Sequence, residues 1–233
     1  GIYCTGGSSP SLYDLIITNN TANGGAGVHC FSGSNPRLEN ISIINNSATG
    51  SNGRGGGLRC TTNSDPTLVN VLISDNTATQ EGGGVFCYNS DPSFINVTIS
   101  GNVSSINDGS GIFIKNNSNM NLMNTVLWGN ESNEIEFSSV DNSSTITLSY
   151  SNIEGGQDGI VINDNGTVTW GDGNIDVDPR FIDSENSNYH LLASSMLINA
   201  GHPDSTDSDG TRADIGAYPY LTDNTEPVWY INT

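Results

Sequence analysis

One short phrase, written five times, constrains this chain more than any other feature. Gly1-Ile2-Tyr3-Cys4 is followed by Gly27-Val28-His29-Cys30, Gly57-Leu58-Arg59-Cys60 and Gly84-Val85-Phe86-Cys87. The fifth copy, Gly111-Ile112-Phe113-Ile114, puts Ile where the others have Cys, and the cysteines lie 26, 30 and 27 residues apart. After each phrase comes a block of 11 residues: Pro10 to Asn20, Pro36 to Asn46, Pro66 to Asn76, Pro92 to Asn102 and Met120 to Asn130. Its third position is Leu12, Leu38, Leu68, Phe94 or Leu122, its eighth Ile17, Ile43, Ile73, Ile99 or Leu127, and its last always Asn. A fixed period of this length belongs to solenoids, in which each repeat is too small to bury its own apolar face and stacks on its neighbours.

Within each block the apolar period is two, β-branched residues are common, and Gly and Pro punctuate the ends, so the blocks read as short strands and not as helices. Coils stacked about 4.8 Å apart would gather the apolar positions into one column. Two weaker coils follow near Ile135-Glu136-Phe137 and Ile160-Val161-Ile162, giving about seven. The insertion Thr49 to Arg54, which accounts for the 30-residue spacing, is expected to protrude as a loop. Ile2, Val28, Leu58, Val85 and Ile112 point inward, with the cysteines and Ile114 beside them. Asn20, Asn46, Asn76, Asn102 and Asn130 are expected to form an amide ladder that satisfies buried backbone groups, and Asp14, Asn40, Asn70, Asn96 and Asn124 a second one.

These repeats resemble those of bacterial secreted right-handed parallel β-helix proteins with a pectate-lyase-like fold. The resemblance runs from about Gly1 to Tyr220. It implies an all-β chain: a right-handed parallel β-helix, or solenoid, of coils over residues 1–172 and a C-terminal capping segment over 173–220. Residues 221–233 then read as a linker and the start of a following module, because Val228-Trp229-Tyr230-Ile231 is similar to the strand that opens such domains. The resemblance implies an extracellular or cell-surface location and membership of a larger secreted protein.

Charge narrows the partners. With 25 acidic and 6 basic side chains the net charge is -19, which opposes nucleic acid and anionic membrane surfaces, and no apolar run is long enough to span a bilayer. The four cysteines occupy a site that elsewhere accepts Ile, so a row of buried thiols is expected, not disulfides.

Strand alternation turns the residues between the inward ones to the outer face. Tyr3, His29, Phe31, Arg59, Phe86, Tyr88, Phe113 and Lys115 would then line one stripe. Aromatic rings stack on sugar faces and cations contact carboxylates, so the stripe is a candidate site for a polysaccharide or surface glycan. In β-helix enzymes that act on polysaccharides the sugar chain lies on this face. A lyase needs a base, and Arg59, Lys115, His29 and Tyr3 are the candidates. A glycosidase needs two carboxyl groups, and the stripe offers Glu136 alone. The leading reading is therefore a non-catalytic module for adhesion, glycan binding or fibre structure, with glycans or further copies as partners. The second is a lyase on an acidic polysaccharide. Near the end, Asp204, Asp207, Asp209 and Asp214 surround Gly210 in a pattern that suits a structural Ca²⁺, though no Glu closes an EF-hand loop.

Overall fold

In the computed structural model, residues 1–106 and 108–221 are described, and the repeats are the rungs of a parallel β-helix. Ile2–Cys4, Val28–Phe31, Leu58–Thr61, Val85–Tyr88, Ile112–Lys115 and Ile135–Phe137 lie side by side in the first sheet. They stack in register, so that Cys4, Cys30, Cys60, Cys87 and Ile114 form one row. The second sheet runs from Ser11–Tyr13 through Arg37–Ile44, Thr67–Ser74 and Ser93–Ser100 to Asn119–Met123, Ser144–Ser149 and Gly166–Trp170. A third sheet, not foreseen from the repeat, joins the two-residue strands Thr21–Ala22, Ser47–Ala48, Thr77–Ala78 and Val103–Ser104. The first sheet thus has six strands; its seventh coil is reduced to the bridge between Glu136 and Val161. The reading of residues 222–233 as linker and new module lies outside the described residues.

The core is a single column. Val28, Leu58, Val85 and Ile112 are fully buried, as are Leu38, Leu68 and Phe94 in the second sheet. All four cysteines are buried and unbridged, and burial pushes the Cys87 thiol up to about 12. A thiol reagent should therefore find Cys60 and Cys87 unreactive in the native protein and label all four on denaturation. Fewer than four labelled thiols after denaturation without reductant would show a disulfide instead.

Polar ladders hold the turns. The Asn76 Nδ2 donates to Asn102 Oδ1 at 3.0 Å and to the Ile43 carbonyl at 2.9 Å, while its own Oδ1 accepts from the Asn46 amide nitrogens, backbone N at 2.9 Å and Nδ2 at 3.0 Å. The same pattern carries on to Asn130, whose Nδ2 donates to Glu134. In the second ladder Asn124 donates to Asn96, Asn96 to Asn70, Asn70 to Asn40, and Asn40 to Asp14. These five residues sit at φ between 53° and 55°, the left-handed region that Asn and Asp tolerate best after Gly. A third ladder, of serines, was legible but not expected: Ser34, Ser64 and Ser90 each donate a backbone N–H to the next coil's Ser hydroxyl. Its signal is the Ser that stands two residues before Pro10, Pro36, Pro66 and Pro92.

The C-terminal segment is more than an end cap. After the strand pair Phe181–Asp183 and Asn188–Leu191 it runs back along the outer flank of the second sheet. The His202 backbone N–H donates to Asn124 Oδ1 at 2.7 Å, that of Ala217 to Thr98 Oγ1 at 3.0 Å, and the Tyr218 and Ser42 hydroxyls lie 2.9 Å apart. The physical reason is apolar surface that the period-two pattern turned outward. Leu72 and Val126 face away from the coil interior and are buried against Tyr189, Leu197 and Ile215.

Candidate functional site

The outer face of the first sheet is the floor of the site. Alternation turns His29, Arg59, Phe86 and Phe113 outward on successive coils. The stripe on this face is only partly exposed. Tyr3 is 59% exposed and Phe31 37%, whereas Phe86 and Phe113 are buried at 2% and 4%. The two buried rings stack on each other, parallel to within 2° at 6.3 Å. Cations cover them: Arg54 and Arg59 lie over Phe86 at 5.7 and 5.6 Å, and Lys115 over Phe113 at 5.8 Å.

Arg54 comes from the insertion, which is exposed at Thr49 to Ser51 as expected of a loop and then folds back onto the sheet. Gly53 and Gly55 are buried, and the segment lies against the sheet beside Arg59. The result is an open groove of about 350 Å³ whose lining includes His29, Phe31, Arg54, Arg59, Phe86, Tyr88, Lys115 and Asp141. Tyr3 lines a neighbouring hollow that shares His29, and the Tyr3 and His29 rings are 5.1 Å apart. Phe113 lines neither.

Three of the chain's six basic residues meet here. Lys115 Nζ sits 3.1 Å from Asp141 Oδ2 and 3.6 Å from Glu81 Oε1, and Arg54 is paired to Glu81. Burial pushes the Asp141 carboxyl up, but hydrogen bonds from Lys115 and Ser138 bring it below its usual range. Arg59 differs. Among the described residues it has no carboxylate partner; its Nη2 donates to Asn52 Oδ1 at 3.5 Å and its Nε is buried without an acceptor. Burial, then the charge of Arg54, holds Arg59 below the usual arginine range. Burial, then Arg59, lowers His29 to about 4, so His29 is neutral at pH 7. Glu136, expected on the outer face, is buried and accepts from the Gly109 backbone N–H and the Asn133 and Asn163 amides.

The residues that the repeat did not reveal, Asn52, Arg54, Glu81 and Asp141, all lie between the repeated phrases. The long 30-residue spacing was the available signal for the first two.

The four C-terminal aspartates are tied into hydrogen bonds of the C-terminal segment. Asp214 accepts from the backbone N–H groups of Asn199 and Tyr220, at 2.7 and 2.6 Å. Asp207 accepts from the Asp214 N–H at 2.9 Å, and Asp209 from Thr211. The Asp204 N–H donates to His202 Nδ1. Among the described residues no three His, Cys, Asp or Glu side chains converge to hold a metal. The carboxylates of Asp207, Asp209 and Asp214 serve as acceptors for backbone N–H groups of this segment.

The solved structure of pectate lyase Pel9A is similar to this chain, with 16% sequence identity and a TM-score of 0.49. The likeness covers 91% of this chain but 65% of that one. No curated protein sequence matches. The family model described as right handed beta helix region matches residues 1–104 and again 73–179, well over half the sequence. On that match, and on the rungs and ladders above, the chain belongs to the right-handed β-helix family.

Proposed function

We propose that this chain is a non-catalytic module of a secreted or cell-surface protein, and that it binds an acidic polysaccharide along the groove of its first sheet. One observation carries the reading. In a protein of net charge -19, half of all Lys and Arg side chains gather in one open groove beside the part-exposed rings of Phe31 and Tyr88. At physiological salt the charges elsewhere are screened beyond about 8 Å, so a polyanion in the groove responds mainly to the local set, in which three cations face the carboxylates of Glu81 and Asp141. Rings stack on sugar faces, and cations meet acidic substituents.

A second reading, lyase activity, is favoured by Arg59, a guanidinium without a carboxylate partner among the described residues and held below its usual range. Of the other base candidates, Lys115 is paired with two carboxylates, Tyr3 lies outside the main groove, and His29 lines it with its basicity lowered to about 4 by burial and then by Arg59. Calorimetry with polygalacturonate and a neutral glucan tests both readings. Binding of the acidic polymer is expected, with a loss of about tenfold in a Phe31→Ala, Tyr88→Ala variant, the worth of one or two ring contacts. No binding, or equal binding by the variant, would remove the proposal. Absorbance from unsaturated products would replace it with the lyase.

A further inference from the structure

We propose that Arg59 is the group that receives the ligand's anionic substituent, and that Asn52, carried in by the insertion, is the residue that positions it. The inference rests on the groove being a glycan site, and it separates three cations that look alike in sequence. Lys115 is bracketed by Asp141 and Glu81, and Arg54 is paired to Glu81, so both bring resident counter-ions. Arg59 brings none among the described residues. Its guanidinium lies over Phe86 at 5.6 Å and its Nη2 is held by the Asn52 amide oxygen at 3.5 Å. The same oxygen accepts from Arg54 Nη1 at 2.7 Å. One neutral acceptor therefore orders two guanidinium groups over one ring. An amide suits this task because it fixes a donor in place without cancelling its charge; a carboxylate at position 52 would do both. The insertion is what makes this possible, since Asn52 and Arg54 lie in the interval where the cysteine spacing is 30 instead of 26 or 27. Selectivity for acidic over neutral glycans then needs that interval as well as the strand residue Arg59.

Asn52→Asp isolates the charge effect, because the new side chain has the same shape and still accepts from both arginines. Calorimetry should show affinity for polygalacturonate falling about tenfold, the scale of one lost charge-assisted hydrogen bond. Affinity for the neutral glucan and the thermal midpoint should stay unchanged. Asn52→Ala, which frees Arg59 without neutralising it, should fall in between. If the wild type binds polygalacturonate and Asn52→Asp binds it equally well, this inference alone is overturned. If the wild type binds neither polymer, the groove reading fails and this inference with it.

Discussion

Asn76→Ala is expected to lower the thermal midpoint by about 10 °C. Asn76 is fully buried, and its amide both donates and accepts between three coils. Alanine would leave the Asn46 backbone N–H without its acceptor and take a donor from the Ile43 carbonyl, where water cannot replace either. Each such loss costs about 1–3 kcal/mol, so about 3–5 kcal/mol in all. For a chain of this size each kcal/mol moves the midpoint by about 2–4 °C. Asn40→Gly is the matched control, because it removes an amide from the exposed ladder while keeping the left-handed backbone that this position adopts. It should shift the midpoint by no more than about 3 °C. Equal shifts for the two variants would mean that the buried ladder does not hold the coils together.

The second large effect is a loss of stability between pH 6.5 and 8. Burial, then the neighbouring Glu154 carboxyl, raises Glu134 to about 8 from an ordinary 4.5. The folded protein thus holds a proton that the unfolded chain releases, and stability falls as pH rises from 4.5 to 8. His29 acts in the opposite sense. Its folded value of about 4 lies below the ordinary 6.5, so stability falls as pH drops from 6.5 to 4. The two slopes oppose each other below pH 6.5, and above it Glu134 acts alone. Each unit is worth about 1.4 kcal/mol, so the loss from pH 6.5 to 8 is on the order of 2 kcal/mol. Asp207, raised to about 6 by burial and then by its acidic neighbours, adds its loss below that window. Glu154→Gln keeps an acceptor for the Gly129 N–H and removes the opposing charge. Thermal melts should show the decline in the wild type and a smaller one in the variant, which keeps the burial that is the larger cause. A wild-type midpoint that is flat from pH 6.5 to 8 would refute the assignment.

The rungs were legible because a period of two, repeated at fixed spacing, leaves few alternatives for where a side chain points. Val28, Cys30, Leu38 and Ile43 lie inward as the repeat demands. The amide ladders were legible for the same reason: one residue type recurred at one register. The covering of the stripe was not. Whether Phe86 faces water depends on Arg54, and the position of Arg54 depends on a stretch that occurs once. The covering of the second sheet's flank left no signal either. Leu72 is an apolar residue at an outward position, and its partner Tyr189 lies more than a hundred residues away in a segment without repeats. Periodicity specifies contacts between neighbouring coils; contacts made by unrepeated segments leave no trace in the period.

The two asparagine ladders have a direction, and the directions are opposite. In the buried one each amide hands its hydrogen to the next coil toward the C-terminus, and the last, Asn130, gives to Glu134. In the other each hands it back toward the N-terminus, and the last recipient is Asp14. Both relays end on a carboxyl group: Asp14 takes the last hydrogen of one, and Glu134, which also holds a proton of its own at neutral pH, takes that of the other. Neither acid needs an asparagine on a further coil as its acceptor. The asparagines between are interchangeable links that copy a polarity, while the sheets themselves continue past Glu134 to Gly166–Trp170. A ladder can therefore lengthen or shorten by whole links between its acids without altering the coils that lie beyond them.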